Sequence, residues 1–255
     1  MLEPPRTFEA EIQQAAQLLS QSRHAVALTG AGISTPSGIP DFRSPDSGLW
    51  EKHNPMAVAN ISAFQRRPED FYDWIRPLVS ITNDAKANPA HTALADLEKK
   101  GILKAVITQN IDGLHTEAGS KNVYEVHGHT REVECLSCGR TEAAAPHMDR
   151  LAADGSMPTC AACGAIFKPK VILFGELLPT KIMNAAHLAS HQADVMLVAG
   201  SSLEVAPVSE LPWLAHRNHA RIIVVNFQPT YIDHLADVII RDNVAKVLPA
   251  IVSHI

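Results

Sequence analysis

The stretch that decides the fold is AVALTGAGISTPSGIPDFR, residues Ala25–Arg43. It begins with four apolar residues, Ala25–Leu28, a length typical of a buried parallel strand. Gly30 and Gly32 follow, and glycines directly after a strand let backbone N–H groups approach a phosphate without an intervening Cβ. The stretch therefore predicts the first strand and turn of a dinucleotide-binding fold.

The same stretch departs from the fingerprint of the dehydrogenases, because the third glycine of that pattern would fall on Thr35. Two glycines alone also fit an ordinary tight turn. The segment GIPDFR, residues Gly38–Arg43, contains too much glycine and proline to open a long helix at once. The pattern therefore favours a nucleotide-binding turn that is followed by a loop.

The bulk composition excludes several classes of protein. The 255 residues are 46% hydrophobic and carry a formal net charge of −5. They contain neither a Lys/Arg cluster nor an apolar run of eighteen residues, so we expect no direct nucleic-acid or membrane partner. The first residues lack the basic start and apolar core of a signal peptide, which predicts a cytoplasmic protein.

Short apolar runs alternate with helical patterns along most of the chain. The runs predict strands at 102–107, 123–126, 171–174, 194–199, 221–225 and 236–240, in addition to the first. Helices are predicted at 8–22, 61–64, 68–79, 89–100, 179–192, 207–219 and 244–252. This alternation predicts an α/β fold with a Rossmann-like, doubly wound parallel sheet.

Two segments interrupt the alternation and predict a smaller inserted domain. We expect a nucleotide-binding domain from residues 1–43, 86–130 and 171–255, a cofactor loop with a small helical module at 44–85, and a metal-binding module at 131–170.

All four cysteines lie in the 131–170 segment, as Cys135-x₂-Cys138 and Cys160-x₂-Cys163. This spacing is typical of a four-thiolate zinc ribbon, in which four sulfurs leave no coordination position for water. The sequence therefore predicts one structural Zn²⁺ per chain. Two disulfides or a redox pair are the alternatives, and neither suits an intracellular chain.

Polar residues follow several of the predicted strands. In an open parallel sheet, ligands bind at the carboxyl ends of the strands, so these residues are candidates for a binding site. They are Gln109, Asn110 and Asp112 after one strand, His127 after the next, Gly200, Ser201 and Ser202 after a third, and Asn226 after a fourth. The alternative interpretations are turn formers for the Asn and Asp residues and a structural histidine for His127.

Several pieces of the sequence together resemble the sirtuin family of NAD-dependent protein deacylases. They are GAGIS at 30–34 joined to GIPDFR at 38–43, TQNIDGLH at 108–115, VHG at 126–128, the two cysteine pairs, and KPKVILFGE at 168–176. The resemblance runs from about Ala25 to Leu248. It implies a deacylase, chiefly a deacetylase, that consumes NAD, transfers the acyl group to ADP-ribose and releases nicotinamide.

The resemblance also implies roles for individual residues. His127 corresponds to the general base, and Asn110 and Asp112 to residues near the nicotinamide. The implied cofactor-binding residues are Gly30, Ala31, Gly32, Thr35, Asp41, Phe42, Arg43, Trp50, Gln109, Asn110, Ile111, Asp112, His127, Gly200, Ser201, Ser202, Asn226, Phe227 and Val244. The implied substrate-binding residues are Val171, Leu173, Phe174, Gly175 and Glu176, where an acyl-lysine peptide would add as a strand.

One departure from a subgroup of that family bears on the acyl group. Sirtuins that prefer succinyl or malonyl lysine carry a tyrosine and an arginine at positions that correspond here to Ile75 and Leu78. Tyr72 and Arg76 are nearby but out of register, which changes the helix face on which they lie. We therefore expect an apolar acyl channel that accepts acetyl groups and disfavours a second carboxylate.

Two other functions share much of this sequence pattern. An ADP-ribosyltransferase or NAD hydrolase would use the same ribose chemistry with another acceptor. An NAD-sensing module without turnover would lack His127 or Asn110, and both residues are present. The sequence leaves the protein substrates and the oligomeric state open, with a monomer among the options.

Overall fold

A computed structural model describes residues 8–41, 48–49 and 54–255. Its main sheet has six strands in the order β3-β2-β1-β7-β8-β9, and every pair of neighbours is parallel. These strands are β1 (Ala25–Thr29), β2 (Leu103–Thr108), β3 (Val123–Glu125), β7 (Val195–Ala199), β8 (Arg221–Val225) and β9 (Val238–Ile240). The order reverses between β1 and β7, and such a switch point is where open α/β sheets bind their ligands.

Helices cover both faces of this sheet, because its central strands are apolar on both sides. Ala25 and Ala27 face one core together with the helices α1 (Glu9–Gln21), α5 (Pro89–Lys99) and α10 (Val244–Ser253). Val26 and Leu28 face the opposite core together with α8 (Thr180–Gln192) and α9 (Leu211–Arg217). The predicted doubly wound sheet is confirmed.

A second, three-stranded antiparallel sheet is built by the inserted cysteine module. Its strands are β4 (Gly128–Cys135), β5 (Thr141–Ala143) and β6 (Phe167–Val171), in the order β5-β4-β6. Helix α7 (Ala145–Asp154) lies between β5 and β6 in the chain. The helical module comprises α2 (Pro55–Val58), α3 (Ile61–Arg66) and α4 (Pro68–Asp84). Helix α4 packs against α7, and the Tyr72 hydroxyl donates to the Phe167 carbonyl at 2.5 Å, so the two modules pack together.

The largest difference from the sequence prediction concerns the apolar run at 171–174. The strand there is β6, which ends at Val171 and pairs with β4 of the small sheet rather than with the parallel sheet. Gly128 makes this pairing possible, because its φ is +77° and a Cβ at that position would lie 2.1 Å from the Lys170 carbonyl oxygen.

Smaller differences concern element boundaries. The predicted helix at 207–219 is a 3₁₀ turn, Val208–Glu210, that continues into α9, and α4 runs to Asp84 instead of ending at Val79. The short helix α6 (Leu114–Glu117) follows the polar TQNID segment. In the described part of the chain, every helix is too short or too polar to cross a bilayer.

Candidate active site

Two glycine loops touch through their backbones at the switch point of the sheet. The Gly32 N–H donates to the Gly200 carbonyl at 2.9 Å. Gly200 has a φ of +62°, and a Cβ on it would lie 2.3 Å from the Ile33 nitrogen. Only glycine allows this approach, so the loops that follow β1 and β7 form one continuous backbone floor.

Asn110 and Asp112 reach back from the end of β2 to the loop after β1. Asn110 Nδ2 donates to the Gly30 carbonyl at 3.1 Å and to Ser34 Oγ at 3.0 Å. Ser34 Oγ donates in turn to Asp112 Oδ2 at 2.7 Å, while Asp112 Oδ1 accepts from the Leu114 N–H at 2.9 Å. These bonds fix the amide and the carboxylate that the sequence predicted as a pair.

His127 lies in the same group of side chains, through Gln109. His127 Nδ1 lies 3.1 Å from the Gln109 carbonyl oxygen, and Gln109 Nε2 donates to Ser201 Oγ at 2.9 Å. Because a carbonyl oxygen can only accept, Nδ1 carries the proton of the neutral ring and Nε2 has the lone pair. The ring is therefore in the tautomer that a general base needs.

Two buried histidines, His91 and His115, contact the end of β1 and the loop that follows it. His91 Nδ1 accepts from the Asn88 N–H at 3.2 Å, so Nε2 carries the proton and faces Ser34 Oγ at 3.4 Å. His115 Nε2 lies 2.9 Å from Thr29 Oγ1, and the two imidazole rings meet edge to face with centroids 4.8 Å apart. Burial lowers the pKa of both rings, that of His115 to about 3, so His115 stays neutral in the folded protein at pH 7.

Asn226 directly follows β8 and lies next to the Gly200 loop, since the Gly200 N–H donates to the carbonyl of Val225 at 3.0 Å. Its side chain donates to the Gln228 carbonyl at 2.8 Å, and its own carbonyl accepts from Arg241 at 3.0 Å. Arg241 is also ion-paired with Asp233. The turn at Asn226 is thus fixed by hydrogen bonds to both the side chain and the backbone carbonyl of Asn226.

The remaining predicted cofactor residues have different surroundings. Ala31 and Thr35 lie half-buried in the glycine loop, Ile111 packs beside the cluster of the helical module, and Ser202 is half-buried beyond Ser201. Phe227 is 60% exposed, whereas Val244 is buried in the core at the start of α10, which contacts the Ala31–Ile33 turn. The backbone carbonyl of Asp41 accepts from the Leu49 N–H at 3.0 Å. Phe42, Arg43 and Trp50 lie outside the described residues.

The predicted peptide-binding segment runs between the two parts of the molecule. The Phe174 N–H donates to the Ala59 carbonyl at 2.9 Å, and the Phe174 carbonyl accepts from the Ile61 N–H at 3.0 Å. The segment is therefore hydrogen-bonded to the helical module. On its other side, the Ile172 N–H donates to the carbonyl of His127 at 2.8 Å. The segment therefore passes directly beside the predicted general base.

An apolar cluster lies against this segment. Val171, Leu173 and Phe174 pack there with side chains from the helical module and with Ile111. Ile75 belongs to the cluster, while Leu78 is half-buried on the same helix. The nearby Tyr72 and Arg76 make hydrogen bonds to other parts of the chain. The hydroxyl of Tyr72 donates to the Phe167 carbonyl, and the exposed Arg76 donates to the Ala152 carbonyl at 3.4 Å.

The four cysteines come together in the inserted module. All four Sγ atoms lie within 4.8 Å of one another, with Cys135 to Cys163 at 3.4 Å and Cys138 to Cys160 at 3.7 Å. A tetrahedron of sulfurs about 2.3 Å from a Zn²⁺ ion has edges of about 3.8 Å, so the spacing fits. Hydrogen bonds from the backbone of Cys138 and Ser137 lower the pKa of the Cys135 thiol to about 7. Despite a backbone hydrogen bond from Arg140, the neighbouring thiols raise the pKa of Cys138 to about 12.

Each cysteine pair forms the same turn. The Gly139 N–H donates to the Cys135 carbonyl at 2.8 Å, and the Gly164 N–H donates to the Cys160 carbonyl at 2.8 Å. Both glycines have positive φ values, +73° and +75°. The four cysteines therefore fit a structural zinc site that is separate from the polar group around Asn110.

Sequence reasoning missed several residues of the site. Ser34 is central to it, and its signal was a hydroxyl inside the glycine loop GAGIS. His91 lies on α5, a helix that the sequence predicts correctly, and Asn88 caps the N-terminus of that helix. The contact of His91 with Ser34 joins residues that are 57 positions apart in the chain. A local pattern carries no signal for such a pairing.

Comparison with known proteins agrees with this geometry. A model of the Sir2 family matches residues 30–207. The NAD-dependent protein deacylase 2 of Archaeoglobus fulgidus is 45% identical over 249 residues, which cover 97% of each chain. A solved structure of a Sir2 enzyme is 45% identical, has a TM-score of 0.90 and covers 96% of this chain and 98% of that one. A Sir2 complex with a p53 peptide and NAD⁺ is 38% identical, with a TM-score of 0.85 and coverages of 95% and 97%.

Proposed function

This chain belongs to the Sir2 family and is an NAD-dependent protein deacylase, and on that premise we propose that His127 is its general base. The observation that carries the assignment is the hydrogen bond from His127 Nδ1 to the Gln109 carbonyl, which leaves the lone pair on Nε2. Gln109, Asn110 and Asp112 then surround the reacting ribose and its leaving group.

The proposed reaction has two stages. In the first, the carbonyl oxygen of the acyl-lysine attacks C1′ of the nicotinamide ribose, and nicotinamide leaves. In the second, His127 Nε2 accepts a proton from the ribose hydroxyls, so that the 2′-oxygen attacks the carbon of the alkylamidate formed in the first stage. Water then completes the transfer of the acyl group to ADP-ribose and releases the free lysine.

We assign binding of NAD to the carboxyl ends of β1, β2, β7 and β8. The floor made by the Gly32 and Gly200 loops supports this, because its glycines let a diphosphate approach the backbone closely. Asn226, whose side chain is fixed by its hydrogen bond to the Gln228 carbonyl, is the proposed contact of the adenosine ribose. The bonds among Ser34, Asn110 and Asp112 support a role of the latter two at the nicotinamide, because their polar atoms are fixed before any ligand arrives.

The substrate is proposed to be an acyl-lysine peptide that lies along Val171–Glu176. Its proximity to His127 supports this, as does the p53 peptide held by the Sir2 complex described above. The apolar cluster beside the segment, with Ile75 and without a cation from Arg76, favours an acetyl group or a longer apolar chain over a succinyl group.

We also propose the division into a nucleotide-binding domain (1–43, 86–130 and 171–255), a cofactor loop with a helical module (44–85) and a zinc module (131–170). The large and the small sheet support this division. The four cysteines grouped as a metal site, rather than in disulfides, support the cytoplasm as the location.

The decisive experiment is incubation of the protein with NAD and a panel of acyl-lysine peptides, following nicotinamide release and identifying the NAD-derived product. We expect release only when peptide is present, with O-acetyl-ADP-ribose as the product of the acetyl peptide. Nicotinamide release at the same rate without peptide, with ADP-ribose as the product, would instead identify an NAD hydrolase.

A further inference from the structure

A buried ion pair lies at the proposed peptide-binding segment, and the mechanism above does not use it. Lys168 on β6 is only 5% exposed, and its Nζ lies 2.9 Å from Glu176 Oε2. A lysine is rarely buried to this extent, because removing its charge from water is costly unless it is fully paired. The position of Lys168 therefore calls for a function.

Both members of the pair also bind the backbone of the segment between them. Lys168 Nζ donates to the carbonyls of Val171 at 2.7 Å and Pro169 at 3.3 Å. Glu176 Oε2 accepts from the Leu173 N–H at 2.7 Å. The ion pair thus fixes the chain at both ends of Val171–Leu173.

The pair closes a turn that exposes one peptide unit. The Glu176 N–H donates to the Leu173 carbonyl at 3.0 Å, and both backbone groups of Phe174 are hydrogen-bonded to the helical module. Gly175 lies inside this turn with a φ of +90°. Among the described residues, no hydrogen bond involves the backbone of Gly175, so it is the part of the turn that an incoming peptide strand can pair with.

We propose that Lys168, acting through Glu176, is a positioning residue that holds the Leu173–Glu176 turn in the shape that receives the peptide backbone. The proposal rests on the proposed role of Val171–Glu176 in peptide binding. In the described part of the chain, the Lys168 ammonium bonds Pro169, Val171 and Glu176 and neither the glycine loops nor His127, so it should govern the affinity for the peptide and leave the affinity for NAD unchanged.

The test compares four proteins: the wild type, Lys168→Met, the double variant Lys168→Met/Glu176→Gln, and Lys170→Met as a matched control. Lys170 lies on the same strand but pairs with Glu132 at 3.0 Å, outside the turn. In the double variant no charge is left buried without its partner, so the fold should persist even if Lys168→Met alone is unstable. The assays measure KM and kcat for an acetyl-lysine peptide, Kd for NAD, and zinc content.

We expect the KM for the peptide to rise about tenfold in both Lys168 variants, with kcat within about threefold and Kd for NAD unchanged. Lys170→Met should match the wild type. A KM for the peptide that stays at the wild-type value in the double variant would overturn the proposal. A wild-type protein that turns over no acyl-lysine peptide at all would instead overturn the proposed function, so the two failures are distinguishable.

Discussion

The side-chain amide of Asn110 donates to the hydroxyl oxygen of Ser34 at 3.0 Å and to the Gly30 carbonyl at 3.1 Å. Both bonds come from the same nitrogen, so both hydrogens of the amide NH₂ group are already used in hydrogen bonds within the protein. Among the described residues, no group donates to Asn110 Oδ1. We therefore propose this oxygen as the acceptor for the nicotinamide carboxamide or for a water near C1′.

Replacing Asn110 by Ala should impair the first stage of the reaction. The variant loses the fixed acceptor, so we expect nicotinamide cleavage and the exchange of labelled nicotinamide into NAD to fall together, by about tenfold or more. The measurement is exchange and product formation on the same samples. An Asn110→Ala protein that exchanges at the wild-type rate would contradict the assigned role.

Replacing His127 by Ala should separate the two stages. Deacetylation should fall by about 10² or more, the usual effect of losing a positioned general base. Because attack at C1′ requires no proton transfer to His127, exchange of labelled nicotinamide should persist. Binding of NAD and peptide, measured by calorimetry, should stay within about threefold of the wild type, which serves as the control for folding. Deacetylation near the wild-type rate would make His127 a structural histidine.

Much of this site could be predicted because its residues follow strands directly. Asn110, His127 and Asn226 each come after an apolar run, and parallel strands bring their carboxyl ends to one edge of the sheet. The position of each residue after a strand was therefore enough to place it at that edge. The cysteine pairs were predictable for a similar reason, since a metal site imposes a local spacing.

Other features had no local signal. Val171, Leu173 and Phe174 of the run at 171–174 belong to the cluster beside the helical module, and an apolar run does not specify which sheet it joins. Gly128 decides that question by allowing close approach to Lys170. The link from His91 to Ser34 and the Lys168–Glu176 pair depend on tertiary contacts, which no spacing in the sequence encodes.

The acyl preference should follow the apolar cluster at Ile75. An acetyl-lysine peptide should be turned over at least about tenfold faster than a succinyl-lysine peptide, because a second carboxylate would lose charged hydrogen bonds worth roughly 1.5–3 kcal/mol. Arg76 cannot supply them from its position beside Ala152. The measurement is kcat/KM for the two peptides, with Arg76→Ala as the control, which should leave the ratio unchanged. Equal values for both peptides would show that another cation reaches the channel.

The buried His115 should make stability depend on pH. Its pKa is about 3 in the folded protein and about 6.5 in an unfolded chain, so between these values the unfolded state binds more protons. The free energy of unfolding should therefore fall as the pH decreases below 6.5, by up to about 1.4 kcal/mol per pH unit from this residue. His115→Gln keeps a polar partner for Thr29 and should have a shallower slope. Urea unfolding at pH 7.5, 6.5 and 5.5 tests this, and equal slopes for the two proteins would contradict it.

Removing one zinc ligand should loosen the inserted module and, indirectly, the peptide site. Cys135→Ala leaves three thiolates, and structural zinc supplies on the order of 10 kcal/mol of folding free energy to small modules. The effect should reach the peptide segment because Phe167, which packs with Cys135, is joined to the helical module through Tyr72. We expect Cys135→Ala to lose its zinc and most of its deacetylase activity, while Ser137→Ala, in the same turn, keeps both. A zinc content of the wild-type protein far below about one atom per chain would contradict this interpretation of the four cysteines.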